Sequence, residues 1–589
     1  MPVFHQVYNP LGNAFLSTIV AALPILVLLY LLALHPHRDE QGHRHLGISA
    51  PVAALFAWLT AFIIAVGILH MPAPSAISAF LYGVLSGFIG IIWIVVAAMF
   101  LYTITLITGK FEIVKESITH ISFDRRLQVL LIAFSFGAII EGTSGFGTPV
   151  AIAGAMMVGL GFGPFESAIL NLIANTAPVA YGAIGTPIIT LGLVTGLPAE
   201  VLSKMAGRQL PFVSILIPFW LVATFVFMEK GSWRDVWEVW PATLVAGGVF
   251  AIMQFLVSNV PSLYLLTDII AGLTSVLAVV LFLRVWHPKT RFLLARERSV
   301  ATRVGGEGQP QPAAGGASDP AAYVYPYTRW QTFEAWVPWI LLIACVAIWG
   351  TPQIKTFFDN LIPGVTKVNV AMPYLHQQVV RTPPIAPPNA KPESAIWGFN
   401  WLSAAGTGVF VAAVLSGLWL RLSAEQWKHA IVRTARRMKI PVLTIAQVLG
   451  LGFLTRYSGL DAILGLAFTH VGPLYPFFAA LLGWLGVFLA GSDTASNALF
   501  GNLQRITAEQ LGLNPILITA ANSTGGVMGK MIDPQSITVA TAACYEDPEE
   551  GNRMVGPIFR AVVWHSIVLA CVMGLIVLLQ AYVFPWMIP

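Results

Sequence analysis

The chain has 589 residues, 57% of them hydrophobic and only 10% Asp, Glu, Lys or Arg. Soluble proteins carry roughly a quarter charged residues, so this surface cannot face water all round. An ordinary cytosolic enzyme, a disordered chain and a nucleic-acid binder are excluded, and the net charge of +5 matters less than where its charges fall.

Apolar runs stand at 14–34, 51–69, 79–107, 127–162, 167–197, 211–228, 241–257, 263–283, 335–350, 400–420, 441–455, 460–490, 514–540 and 557–586. Most approach the ~20 residues that a bilayer helix needs, and several exceed it. They predict an all-α polytopic membrane protein with about 12–14 transmembrane helices. The first run has no basic residue before it and no small-residue cleavage site after it, so it reads as a retained span. Cys345, Cys544 and Cys571 are isolated in apolar sequence and make neither a disulfide framework nor a metal pattern.

Orientation follows from Lys and Arg. Loop 109–126 holds Lys110, Lys115, Arg125 and Arg126, and 284–303 holds Arg284, Lys289, Arg291, Arg296, Arg298 and Arg303. Loop 421–439 adds Arg421, Lys428, Arg433, Arg436, Arg437 and Lys439, whereas connections 70–78 and 258–262 have no basic residue. The positive-inside rule places the basic loops in the cytoplasm and the N-terminus outside. Residues 1–284 then form one transmembrane half, 285–334 a cytoplasmic linker that is Gly/Pro-rich over 304–322, and 335–589 a second half. That second half carries an extracytoplasmic, Pro-rich segment at 351–399.

Four polar, glycine-rich breaks interrupt the long runs: GAIIEGTSGFGTP at 137–149, NTAPVAYGAIGTP at 175–187, GSDTASN at 491–497 and NSTGGVMGKMIDP at 522–534. Unwound backbone at membrane depth survives only where protein or a wet cavity satisfies it. The breaks correspond in pairs. Asn175 and Asn522 each precede a glycine by seven residues (Gly182, Gly529) and a proline by twelve (Pro187, Pro534). Gly142 precedes Asn175 by 33 residues, and Gly491 precedes Asn522 by 31. Two halves interrupted alike point to a secondary transporter built from repeats, here inverted, around a midplane site.

The residues of the breaks suit a small organic anion. Half-helix N-termini offer free N–H groups and partial positive charge. Gly142, Thr143, Ser144, Gly145, Asn175, Thr176, Ser492, Thr494, Asn522, Ser523 and Gln535 are candidate substrate contacts, with Lys530 and Arg456 as charged partners. Any single Ser, Thr or Asn could equally recap a broken helix; the clustering favours a site. Carboxylates are expensive in a bilayer, and desolvation favours their neutral form, so Glu141, Asp493 and Asp268 are proton-coupling candidates. An ion pair or a helix cap is the plainer reading of each. Asp533 accompanies Lys530 in the last break, and Arg208 and His470 read as interfacial residues.

No catalytic constellation appears. Gly529-Lys530 mimics the end of a phosphate loop, but Thr524 stands where the first glycine belongs and Met531 where the Ser or Thr would be. No cofactor, metal or enzymatic activity is expected.

Several strings carry a close resemblance to the lactate permease family. They are FGAIIEGTSGFGTPVAI (136–152), VGLGFGP (158–164), NTAPVAYGAIGTPI (175–188), GRQLPF (207–212), YSGL (457–460), LGWLGVFLAGSDTASNALFGNLQ (482–504) and ANSTGGVMGKMIDPQSI (521–537). The resemblance runs from YNPLGN (8–13) to LQAYVFPWMIP (579–589) and departs locally at Arg456, Asp533, Thr143 and Ser144. It implies proton-driven uptake of lactate, glycolate and related 2-hydroxymonocarboxylates across a bacterial inner membrane. The same architecture could take a gluconate-like or dicarboxylate substrate, or couple to Na⁺.

Overall fold

The computed structural model describes residues 3–31, 35–38, 44–46, 48–119, 121–145, 147–295, 297 and 325–589. The stretch 304–322, read from sequence as a flexible linker, and Arg296, Arg298 and Arg303 lie outside these residues. Among the described residues ten helices are long and apolar enough to cross a membrane, eleven if the bent pair Pro164–Ala174 and Val179–Thr195 makes one more. Ala14–Leu29, Thr148–Gly159 and Ala405–Trp419 are shorter apolar helices. The chain is a multi-pass α-helical membrane protein.

Two helical hairpins organise the interior. Helix Arg125–Ser144 stops at Gly145 (φ 58°) and Gly147 (φ 76°), where positive φ suits glycine. Thr148–Gly159 then runs back, so that Arg125 Nη1 donates to the Leu160 carbonyl at 2.9 Å, base to base. Helix Tyr475–Ala490 stops at Gly491 (φ 69°) and Asp493–Gln510 returns along it. Gln504 Nε2 donates to the Ala479 carbonyl at 2.8 Å, and Ser496 Oγ to that of Gly483 at 3.3 Å.

The hairpins enter from opposite faces. Helix Trp240–Ser258 joins those faces. Just before its start, the Asp235 carbonyl and the Glu238 carboxylate accept hydrogen bonds from Arg126 Nη1 at the base of the first hairpin (2.7 and 3.0 Å). At its end, the Ser258 carbonyl accepts from Ser203 (3.0 Å), in the short helix Ala199–Ala206 that follows Thr195. Arg505, near the base of the second hairpin, donates to the Thr195 carbonyl. The two tips therefore meet inside the protein, as an inverted repeat requires.

Each hairpin's return arm packs on the other repeat. Thr148–Gly159 lies against Pro534–Cys544, and Asp493–Gln510 against Gly182–Thr195. A Cβ on Gly154 would sit 2.8 Å from Cys544 Sγ, and one on Gly501 2.7 Å from Leu191 Cδ1.

The breaks are shorter than the sequence reading drew them. Residues 522–529 are helical, as are 137–144 and 493–497; the interruptions narrow to Gly145–Gly147, Asn175–Gly185, Gly491–Ser492 and Lys530–Asp533. The glycines of 522–529 serve contact instead. A Cβ on Gly525 would lie 2.1 Å from the Ala480 carbonyl oxygen, and one on Gly529 2.3 Å from that of Trp484. Small residues let buried helices approach backbone to backbone. Gly525→Val should therefore destabilise the fold by at least the about 1–3 kcal/mol typical of overpacking, seen as a lower melting temperature in detergent. Gly248→Val, where a Cβ meets nothing within 4 Å, is the control expected to melt like the parent.

Candidate functional site

Four helices begin at one interior cavity. Their starts are Thr148 after Gly147, Thr186 after the unwound Gly182–Gly185, Asp493 after Ser492, and Pro534 after Asp533. Gly145, Gly147, Gly182, Ala183, Ser492, Asp493, Gln535 and Ser536 from these starts line the cavity. Its volume, counted as room for the centres of water molecules, is ≈ 130 Å³. One water needs about 10–15 Å³ in that measure, so a three-carbon acid fits. Each helix start carries roughly half a positive charge, so the convergence is favourable to an anion before any side chain is counted.

The unwound stretch at the second helix start is unusual. Ala183 (φ 44°), Ile184 (φ 57°) and Gly185 (φ 68°) are consecutive left-handed residues, two of them with side chains that disfavour that region. They turn the chain between Pro164–Ala174 and the helix proper, a bend of 67°.

Three charged side chains line the cavity: Glu141, Asp493 and Lys530. Lys530 Nζ donates to the Gly491 carbonyl at 2.7 Å and to Asp533 Oδ2 at 2.9 Å, tying the second hairpin's tip to the last break. A lysine has three N–H donors, so one is left for a ligand. Asp533 also caps its helix, accepting from the backbone N–H of Gln535 (2.8 Å) and Ser536 (3.2 Å) and from the Ser536 hydroxyl. Asp493 Oδ2 accepts from Ser523 Oγ at 2.5 Å and Asn497 Nδ2 at 3.4 Å, while its Oδ1 is buried without a partner. Glu141 Oε2 is likewise unpartnered, and a Cβ on Gly182 would stand 2.4 Å from Glu141 Oε1.

Of the sequence candidates, Glu141, Gly145, Ser492, Asp493, Thr494, Lys530 and Gln535 are brought together around the cavity. The others stand apart from it. Gly142 faces Asp268 and Ile269. The hydroxyls of Thr143 and Ser144 donate back to the Ile140 carbonyl (3.0 and 2.9 Å), which satisfies them within their helix. Asn522 joins a buried chain, donating to Asn497 Oδ1 at 2.9 Å and accepting from Gln504 Nε2 at 3.2 Å; Ser523 stands behind Asp493. Asn175 and Thr176 are buried with unpartnered side-chain atoms. Asp268 is fully buried away from the lining. Arg456 lies on the far face, donating to the Val194 carbonyl at 3.0 Å. Arg208 donates to the Met587 carbonyl at 2.8 Å, and His470 is exposed near the Ala467 carbonyl.

Sequence reasoning missed one wall. Ile440, Pro441, Thr444, Ile445, Val448 and Leu449 line the cavity from helix Ala424–Ser458, which is continuous there. Pro441, alone in that stretch, marked the place. Thr186 and Val539 were missed as well. The cavity extends to Ile440 and Ala50. Ile440 is one turn from Arg437, whose guanidinium lies over Tyr102, so the mouth opens on the face where the first hairpin is based.

Breaking a buried pair by removing one partner strands the other charge, at a cost of about 3–5 kcal/mol. Lys530→Gln should lower the melting temperature accordingly, and adding Asp533→Asn should recover most of the loss. A double variant no more stable than the single one would contradict the pairing.

The family model described as L-lactate permease matches residues 17–584. The glycolate permease GlcA of Escherichia coli K12 is 43% identical over 599 aligned residues, with 100% of each chain covered. The L-lactate permease of Salmonella typhimurium is 42% identical, again with 100% of each covered, and that of Bacillus subtilis 41% identical with 99% of each covered. By these matches, end to end, the chain belongs to the L-lactate permease family.

Proposed function

We propose that this chain is a secondary transporter that takes up L-lactate, and with it D-lactate and glycolate, together with protons across the inner membrane of a bacterium. The observation that carries the reading is the convergence of four helix N-termini and one free Lys530 N–H on a cavity with room for a three-carbon acid. The family's named relatives supply the substrate class.

In this reading the carboxylate docks on Lys530 and the helix starts at Gly147 and Ser492, with Thr186 and Thr494 in reach of its 2-hydroxyl. Ile445, Val448 and Val539 provide the apolar wall for the methyl group that lactate has and glycolate lacks. The face with the cavity mouth is cytoplasmic and the N-terminus outside, so the structure is inward-open. On the outer face Arg456 and Arg505 hold the carbonyls of Val194 and Thr195, the negative end of helix Gly182–Thr195. Rocking one hairpin with its partner helix against the other would exchange the open face. Glu141, Asp268 and Asp493 are the groups able to carry the proton.

The test is uptake of radiolabelled L-lactate into proteoliposomes under an imposed pH gradient. Accumulation driven by that gradient, and competed by D-lactate and glycolate, is expected. Uptake that ignores pH and follows Na⁺, or competition by gluconate or dicarboxylates alone, would sink the proposal. Replacing a charge-assisted contact costs about 1.5–3 kcal/mol, at least tenfold in affinity. The charge-conserving double variant Lys530→Gln/Asp533→Asn should therefore raise the half-saturation concentration at least tenfold; an unchanged value places the anion elsewhere. Val448→Ala should weaken lactate several-fold relative to glycolate, because a methyl contact is worth about 1–3 kcal/mol. Equal effects on both substrates would remove Val448 from the methyl wall.

A further inference from the structure

Behind the cavity, outside its lining, lies a buried carboxylate. Asp268, in the first turn of helix Thr267–Phe282, is 0% exposed, and neither of its carboxylate oxygens has a hydrogen-bond partner. Helix N-terminal N–H groups would ordinarily serve such a carboxylate, yet none does here. The two helices Gly137–Ser144 and Thr267–Phe282 touch through Gly142: a Cβ there would lie 3.0 Å from both Asp268 Cβ and the Ile269 nitrogen. That contact brings the backbone at Glu141, the next residue, against the helix that carries Asp268, close enough for the two carboxyls to interact electrostatically.

Among the described residues, the helices packed against that of Asp268 bring no other carboxylate and no cation near it. Helix Trp240–Ser258 and the segment Val129–Phe136, which also pack against its helix, carry none. Tyr181 and Tyr264 are the other titratable neighbours: the Tyr181 hydroxyl already donates to the Ser203 carbonyl at 2.7 Å, and Tyr264 lies one turn before Asp268. Glu141 thus has two aspects. It lines the cavity beside Lys530, Gly182 and the left-handed stretch Ala183–Gly185, and it interacts electrostatically with Asp268 behind the cavity. Asp493 differs, because its Oδ2 is held by Ser523 and Asn497.

We infer that the coupling proton is shared between Glu141 and Asp268, with Asp268 as the internal holder and Glu141 as the exchange point with the cavity. The inference rests on the proton-coupled reading above. The two carboxyls are not hydrogen-bonded to each other in this structure, so the transfer takes place when they close or through one bridging water: one O–H bond breaks at Asp268 as one forms at Glu141, which then releases the proton to cavity water. An ionised carboxylate with no donor or cation beside it is strongly disfavoured in a dry interior. A proton is therefore the partner that Asp268 lacks. Because Glu141 abuts Gly182, movement of the unwound stretch would cover or uncover the exchange point as the cavity changes face.

The test uses the full chain in proteoliposomes with two readouts, lactate exchange at equal pH and accumulation under a pH gradient. Symport of one proton per anion allows the parent about tenfold accumulation per pH unit. Asp268→Asn should exchange lactate within about twofold of the parent yet reach no accumulation, and Asp268→Glu should restore it. Accumulation by Asp268→Asn at the parent's level overturns the inference and leaves the proton-coupled reading standing; a parent that ignores pH overturns both. Loss of exchange as well, in a variant that melts like the parent, makes Asp268 structural and also overturns it. If Asp268→Asn does not fold, infrared difference spectra of the parent and Asp268→Glu decide. A lactate-induced protonated-carboxyl band that shifts in Asp268→Glu supports the assignment, and an unshifted band rejects it.

Discussion

A backbone N–H group cannot be left unpaired in hydrocarbon, and that constraint shapes this protein's interior. A helix that starts at the membrane midplane exposes its first N–H groups, so it must start where something answers them. Here four helices do so at one place. Ser492 and Asp533 cap two of them with side-chain oxygens, whereas Gly147 and Gly185 offer no side-chain cap to the others. Lys530 adds a cation that binds the second hairpin's tip through the Gly491 carbonyl. The site is thus built from backbone polarity first and side chains second, which suits a ligand recognised by its carboxylate.

The same constraint explains why glycine has two roles in this chain. At Gly145, Gly147 and Gly491 it turns the backbone with positive φ, and the helix ends. At Gly483, Gly525 and Gly529 it stays helical and lets a neighbouring carbonyl approach: the Cβ of an alanine at Gly483 would lie 1.9 Å from the Asn522 oxygen. Both roles read as a glycine-rich polar stretch in sequence. The existence of the breaks and their pairing between halves were therefore legible, because Gly, Pro and intramembrane charge act locally. Their extent was not, because whether a glycine bends or packs depends on a helix distant in sequence. Asn522 and Ser523 illustrate this, since both are polar and in the right segment yet turned toward Gln504, Asn497 and Asp493.

The apolar wall was invisible for the complementary reason. Ile445, Val448 and Leu449 belong to a continuous helix whose sequence resembles any lipid-facing run. Only packing against Gly83 and Gly87 of the helix spanning 73–107 turns them inward, with Leu449 filling the space that a side chain on Gly87 would need. Arg456 shows the converse. Its charge was conspicuous in sequence, but its place is the C-terminal end of helix Gly182–Thr195, where a guanidinium answers exposed carbonyls rather than a substrate.

Charge bookkeeping connects the cavity to the proposed coupling. Lys530 and Asp533 neutralise each other, which leaves Glu141, Asp493 and Asp268 without a cation bonded to any of them. A substrate anion entering this interior adds another negative charge where each unpaired one costs at least about 2.5–3.5 kcal/mol. A proton that arrives with the anion cancels that cost, and departs with it at the other face. On this reading symport needs no separate device, since a dry site short of cations accepts the anion only in neutral company. The reciprocal packing of each hairpin's return arm on the other repeat would then move substrate and proton together, because Glu141 belongs to the first hairpin and Lys530 is bonded to the tip of the second.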